Sequence, residues 1–489
     1  MTLITRDEEV DAGDADAIAA LHRALDAQRA AFQQHPYPSR GERQGHLEAL
    51  AGMMMSNRQR IREAMSADFA VHPELFSDLI ECVGIPSRAM YAISQLDKWM
   101  ADEERDTDPA LFGSARASVR YQPKGVIGNI VPWNFPFDLG VGPLVEMLAA
   151  GNRVIVKPSD FTPACGELLA DMLGATFDAD HITVSLGGLE LARTFPTLRW
   201  DHLLYTGSPA IGRVIAKAAA ENLVPTTLEL GGKCPAIILD DAVDMATVAN
   251  VVGTKMVKNG QMCISVDYVL VPRQHMTNFV TMSQQYVREN TPQYSRSSDC
   301  TGIITTRHLD RLIKLRDEAG DAGYEVVELE EGGELNRETR QMPLALVVDP
   351  GEELGVMREE IFGPLLPVKP YDSLDEALDY VNSGERPLGL YVFGHDEAQT
   401  ERVLQQTTSG GACVNVCAMQ GALPSLGFGG IGNSGMGRHH GIDGFREFSN
   451  PRGVVVRGDN DLVDAFYPPY GDRLGAIMDA AFGQAPGSV

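Results

Sequence analysis

From about residue 126 to residue 256 short apolar runs alternate with helical patterns, and this alternation constrains the fold more than any other feature. The runs sit in "NRVIVKPSD", "HITVSLGG", "DHLLYTGS", "TTLELGG" and "CPAIILDD", and a helical pattern follows across "DMATVANVVGTKMVKNG". Each run is apolar nearly throughout and closes on Gly, Ser, Pro or a charged residue. Continuous rather than alternating apolarity marks strands covered on both faces, which is the habit of parallel sheets. Strands alternating with helices then predict an α/β fold. Two stretches depart from the pattern. Residues 1–112 read mostly as helices, with three-to-four apolar spacing in "DADAIAALHRALDAQRAAF" and "HLEALAGMMMSNRQRIREAM". "ASVRYQPKGVIGNIVP" reads as strand on both sides of a Pro-Lys-Gly turn.

At 489 residues the chain holds two to four domains' worth of sequence and can bury a large core. Its net charge of −26 argues against nucleic acid and anionic membranes as partners. A phosphate-bearing ligand must then be held by local donors. No apolar run is long enough for a membrane helix, and the acidic start "MTLITRDEEVDAGDAD" lacks the apolar centre of a signal peptide. The seven cysteines are odd in number, scattered, and without a C-x-x-C pair. They fit reduced thiols in the cytoplasm, and no metal site is expected.

Two glycine-rich segments compete as a dinucleotide cradle. Gly430–Gly435, inside "FGGIGNSGMGRHHG", matches G-x-G-x-x-G letter for letter. A cradle needs a strand before it and a helix after it, because the helix N-terminus presents N–H groups and a positive dipole to the pyrophosphate. "GALPSLGFG" before it is not a strand, and "MGRHHGIDG" after it is a poor helix start. "HLLYTGSPAIGRVIAKAAAENL" lacks the spelling and has the physics: a strand, Gly207, Ser208 where an N-cap belongs, and Pro209 at the first helical position. An ordinary strand-to-helix turn has the same form.

Five further residues carry candidate chemistry. Cys263 stands in the polar turn "NGQMCIS" between a helix and a strand, although most free cysteines only pack. Glu229 interrupts the apolar strand of "TLELGG". Burial there would raise its carboxyl toward the range of a general base, and a salt-bridged strand end is the plainer alternative. Asn134 in "VPWNFPF" is placed to donate to an oxyanion or simply to form a turn. Lys157, with Asp160 three residues on, ends a strand, and strand C-termini are where α/β sheets bind ligands.

Together "PWNFP", "KPSD", "YTGSPAIG", "LELGGKCP", "NGQMCIS", "EEIFGPLLPV" and "FGGIGNSGMG", in this order, resemble the aldehyde dehydrogenase superfamily. "DYVLVP" after Cys263 and "YPPY" at 467–470 resemble its class 3 branch, which includes coniferyl, aromatic and fatty aldehyde enzymes. The resemblance implies a Rossmann-type coenzyme domain (1–112 and 132–235), an α/β catalytic domain (236–448), and a small bridging β element with the C-terminal tail (113–131 and 449–489). It implies Cys263 as nucleophile, Glu229 as general base, and Asn134 with the Cys263 N–H as oxyanion hole. Coenzyme contacts fall to Pro132, Trp133, Lys157, Asp160, Gly207, Ser208, Gly212, Glu360 and Phe362. Gly430–Gly435 lies outside the coenzyme loop. The expected reaction is NAD(P)-dependent oxidation of an aldehyde to the acid through a thiohemiacetal and a thioester. NAD is expected to be preferred, because the Asp160 carboxylate would repel a 2′-phosphate, with NADP used poorly. A homodimer is expected, and the aldehyde is expected to be aromatic, phenylpropanoid or medium-chain. A coenzyme-A-acylating enzyme, a cysteine hydrolase and a retired binding protein on the same fold are the alternatives.

Overall fold

The apolar runs form strands because both of their faces are covered. The computed structural model describes residues 12–483. Val126–Ile130, Arg153–Lys157, Ile182–Val184, His202–Gly207 and Thr226–Leu230 pair in parallel, almost every side chain buried or half-buried. Across the sheet they stand in the order fifth, fourth, first, second, third, with the short Gly435–Met436 strand added antiparallel beside Thr226–Leu230. The order reverses at Val126–Ile130, so the C-terminal ends of the central strands open a crevice there. Lys157 pairs with Ile130, Ile130 with Tyr205, and Thr206 with Glu229, so the expected coenzyme residues follow one another along that edge.

A second sheet has seven strands: Glu325–Glu328, Ala345–Val348, Leu365–Tyr371, Tyr268–Pro272, Pro235–Ile238, Gly389–Phe393 and Gly411–Val414, in that spatial order. All pair in parallel except the first two. Glu103–Arg105, Arg116–Pro123 and Ser449–Val456 make a third, antiparallel sheet. The mixed α/β architecture with parallel sheets is the one expected.

The segment boundaries differ from the sequence reading in three places. The stretch 113–131 divides: Arg116–Pro123 joins the three-stranded sheet and Val126–Ile130 the six-stranded one. Gly125, at φ +138°, makes the switch, and the Asn152 side chain fixes it by accepting from the N–H groups of Lys124 (2.8 Å) and Gly125 (3.0 Å). Glu103–Arg105, placed with the coenzyme segment, pairs in the three-stranded sheet, and Gly435–Met436, placed with 236–448, pairs in the six-stranded one. Short edge strands carry too little apolar patterning to announce which sheet they join. The reading of the extreme N-terminus and the last residues of the tail, 484–489, lie outside the described residues.

The N-terminal helices Ala12–Gln34, Arg40–Ser56, Arg58–Phe69 and Ile85–Met100 match the early periodicity. A Ser39–Glu42 capping box starts the second of these.

Candidate active site

The nucleophile candidate is presented by a reversal that only a strained turn makes. The helix Met245–Met256 ends in Lys258, Asn259 and Gly260, at φ +49°, +54° and +77°. A Cβ at Gly260 would collide with the carbonyl oxygen of Gly363, so glycine is required there. Gln261, buried, pins the turn with its whole side chain. Its Nε2 donates to the carbonyls of Lys258 (3.0 Å) and Gly302 (3.1 Å), and its Oε1 accepts from the Ile304 N–H (3.0 Å). Cys263 then stands half-buried, its thiol facing the backbone N–H groups of Cys263 and Ile264. Burial pushes the thiol well above its usual range, and the carboxyls of Glu360 and Glu229 push it further.

Glu229 lies at the end of the Thr226–Leu230 strand, 2% exposed. Neither of its carboxyl oxygens has a hydrogen-bond partner. A buried carboxyl without partners favours its neutral form, and burial raises Glu229 well above the carboxylate range, with Arg438 opposing in part. A salt-bridged strand end would have shown a partner within reach. Asn134 is buried after the Val126–Ile130 strand and donates through Nδ2 to the Gln261 carbonyl at 3.2 Å. That bond places the amide two residues from Cys263 and leaves its second N–H uncommitted. Of the aromatic residues flanking Asn134, Phe137 is fully buried core, whereas Trp133 and Phe135 are half-buried.

Glu360 faces the Gly231–Gly232 turn. Its carboxyl lies beside the Gly232 N–H, its Oε1 is buried and unpartnered, and a Cβ at Gly231 would strike it. Burial and the nearby Asp267 raise Glu360 to about 8. Phe362, at φ +52°, sets its ring edge-on to Trp133 with centroids 5.2 Å apart. Lys157 is buried and donates to Asp160 (2.7 Å) and to the Pro158 carbonyl (3.0 Å). Ser208 caps the helix Pro209–Ala220, accepting from the Ile211 N–H at 3.4 Å. Side chains are excluded at Gly207 by the Tyr205 hydroxyl and at Gly212 by Leu230, which keeps the helix start bare and close to the sheet. Pro132 is half-buried in the loop leaving the Val126–Ile130 strand. The orphaned Glu360 oxygen, the bare helix start and the Lys157–Asp160 pair fit a dinucleotide lying along the sheet's C-terminal edge.

Gly430–Gly435 does other work. Gly432–Ser434 is a short turn of helix, and Gly435 pairs with Glu229 itself. A Cβ at Gly435 would strike the Leu228 carbonyl, so these glycines let an edge strand approach the strand of Glu229.

Sequence reasoning missed the supports. Lys233 donates to the carbonyls of Val356 (2.8 Å) and Glu359 (3.0 Å) and pairs with Asp267, whose other oxygen accepts from the Ile361 N–H at 3.0 Å. These two residues hold the loop carrying Glu360 and Phe362. A lysine in the apolar neighbourhood of "GGKCP" was the only available signal.

The family model for aldehyde dehydrogenases matches residues 7–454. This chain belongs to the aldehyde dehydrogenase family. It is 42% identical over 463 residues to a probable coniferyl aldehyde dehydrogenase of Caulobacter vibrioides, covering 93% of this chain and 95% of that one. It is 36% identical over 450 residues to the rat aldehyde dehydrogenase family 3 member B1, covering 91% and 94%, which agrees with the class 3 resemblance. Among solved structures, a substrate-bound Staphylococcus aureus AldH superposes with a TM-score of 0.88 at 31% identity, covering 95% of this chain and 99% of that one. The enzyme is an aldehyde-oxidising oxidoreductase that uses a nicotinamide cofactor. Among the described residues no helix is long and apolar enough to cross a membrane.

Proposed function

We propose that this aldehyde dehydrogenase oxidises aromatic aldehydes, phenylpropanoid ones foremost, to their carboxylic acids, with NAD preferred over NADP. The observation that carries the reaction is the convergence of a half-buried Cys263, an Asn134 amide beside it, and a buried Glu229 without a hydrogen-bond partner. The Cys263 thiolate adds through Sγ to the aldehyde carbon, and the carbonyl electron pair moves onto oxygen. The free N–H of Asn134 and the Cys263 N–H hold that oxyanion. A bound nicotinamide ring supplies the hydride acceptor. The oxyanion re-forms its carbonyl as hydride departs and leaves a thioester on Cys263. Glu229 then takes a proton from water, the water oxygen bonds to the acyl carbon, and the carbon–sulfur bond breaks to free the acid and the thiolate. The retained base favours this course over acyl transfer to coenzyme A, which needs no activated water.

Cofactor contacts are assigned to Lys157 and Asp160 at the adenosine ribose, to Gly207, Ser208 and Gly212 at the pyrophosphate, and to Pro132, Trp133, Glu360 and Phe362 around the nicotinamide half. Asp160 is exposed with one oxygen tied to Lys157, so the other is available to ribose hydroxyls and repels a 2′-phosphate. Like-charge repulsion in a partly desolvated pocket lowers NADP affinity by about 1–3 kcal/mol, roughly ten- to a hundredfold. The aromatic preference draws on the Caulobacter relative's name and on the half-buried rings of Trp133 and Phe135 that flank Asn134 in the chain. The outer edge of Ser449–Val456 exposes Val455 and Val456, which supports a homodimer formed through that sheet. Seven free thiols support a reducing, cytoplasmic setting.

The test is a matrix of kcat/KM over coniferyl aldehyde, cinnamaldehyde, octanal and acetaldehyde with each cofactor. The expected ranking puts the two phenylpropanoids first and NAD ahead, with Asp160→Ser narrowing the cofactor gap. Preference for acetaldehyde overturns the substrate assignment, and equal efficiency with NADP overturns that of Asp160.

A further inference from the structure

Lys258 is a buried cation that the reaction just described does not use. It is 2% exposed, at φ +49°, inside the turn that presents Cys263. Its amine lies 4.4 Å from the ring centroids of both Phe69 and Phe135 and donates to the main-chain carbonyl of Asn134. The ionisable groups that bear on it are the buried Glu81 and the half-buried Asp138, together with His72 and Cys165. One Glu81 oxygen and His72 Nε2 have no hydrogen-bond partner. Burial lowers the Lys258 amine from its usual value while Glu81 and Asp138 oppose that shift.

Burying an amine among aromatic rings is a poor way to stabilise a fold, because desolvation consumes most of the gain. This amine nevertheless joins the two halves of the site. The Asn134 loop meets the Cys263 turn twice: its side chain donates to the Gln261 carbonyl, and its main-chain carbonyl accepts from Lys258. One bond alone would let the amide pivot about the other. Two bonds fix the direction of its uncommitted N–H.

We propose that Lys258 is a positioning residue for aldehyde oxidation: by holding the Asn134 carbonyl and the Phe135 ring, it aims the Asn134 amide at the oxygen of the aldehyde bonded to Cys263. The inference rests on the oxyanion role assigned to Asn134. It makes the Cys263 turn both the bearer of the nucleophile and the anchor of the oxyanion donor, so the two keep register with each other.

The test is a double-mutant cycle on the full-length enzyme with Lys258→Met, Asn134→Ala and the double variant. Aldehyde kcat and KM are read at saturating NAD, and NAD affinity by quenching of protein fluorescence. Lys258→Met is expected to lower kcat about ten- to a hundredfold, the scale on which a misplaced catalytic group loses rate. NAD affinity is expected to stay within about twofold, and in the Asn134→Ala background Lys258→Met changes kcat by less than about twofold, since a residue acting only through Asn134 has nothing left to position. If the Met variant does not fold, Lys258→Leu, which likewise lacks a donor, takes its place and must show the same coupling. Wild-type kcat in the Lys258 variant, or penalties that multiply in the double variant, overturns the inference while leaving the oxyanion role intact. Wild-type kcat in Asn134→Ala removes the oxyanion role and the inference together.

Discussion

At the scale of single residues, the site gathers carboxyls whose charge is suppressed by burial, and this sets its pH behaviour. Glu229 is held neutral well above the carboxylate range, so its base form grows as pH rises. Deacylation should therefore accelerate from neutral into alkaline solution. Glu229→Gln removes that dependence along with the base. It is expected to cut steady-state turnover by about a hundredfold or more, the usual worth of a positioned base. Mass spectrometry after mixing with NAD and aldehyde should then find the acyl group retained on Cys263; a variant that turns over normally at every pH would deny Glu229 its role. Glu360 acts on the thiol instead. It heads the electrostatic causes that raise Cys263, and it is itself ionised only above about 8. Removing a negative charge near a thiolate stabilises the thiolate. Glu360→Gln should thus move the pH profile of Cys263 alkylation to lower pH by on the order of one unit, with the largest difference above pH 8. An unmoved profile, followed by peptide mapping of iodoacetamide labelling, would place the Glu360 carboxyl elsewhere.

At the scale of elements, the turn from Lys258 to Cys263 is the most demanding local structure in the site. Three successive residues adopt left-handed backbone, two of them not glycine, and Gln261 spends its full amide on holding them. Such strain persists only where the surroundings over-determine it. Gly260→Ala adds a left-handed alanine, costing about 1–2 kcal/mol, and drives a methyl group into the Gly363 carbonyl. Because Gly363 follows Phe362 and Glu360, the damage reaches both sides of the cleft. The expected result is a lower melting temperature together with loss of activity, read by calorimetry and a steady-state assay on the same preparation. An alanine variant of full activity would mean the turn relaxes freely. The start of the Pro209–Ala220 helix is the opposite case. It needs no strain, because Ser208 and Pro209 are the residue types that a helix N-terminus favours.

At the scale of the whole molecule, the three-stranded sheet is the odd member. It packs little core of its own, its strand Ser449–Val456 has one edge facing outward, and Val455 there is 68% exposed. An apolar outward edge is an aggregation hazard unless something covers it. A second copy of the chain is the expected cover. Sedimentation velocity should find a dimer for the wild type and a monomer for the Val455→Glu, Val456→Glu double variant at the same concentration. A dimer that survives both glutamates would put the interface on another face.

The sequence by itself determined the fold class, the family, and the identity of the chemical groups, because these depend on local patterns: buried strands are apolar throughout, helix starts carry caps, and reactive side chains keep their types. It could also dismiss Gly430–Gly435 as a cradle, since neither flank had the periodicity of a strand or a helix. What it could not supply was anything made by residues far apart in the chain. The Gln261 bond to Asn134 and the Lys233–Asp267 brace under Glu360 each join segments separated by tens to more than a hundred positions, and the partnerless state of Glu229 depends on everything packed around it. No local pattern encodes such contacts. The strand at 126–130 shows the same limit: its residues announce a strand, and only its pairing with Arg153–Lys157 and His202–Gly207 places it in the six-stranded sheet. Burial and hydrogen-bond satisfaction are properties of the assembled chain, so the electrostatics that make these residues an active site arise with the tertiary structure.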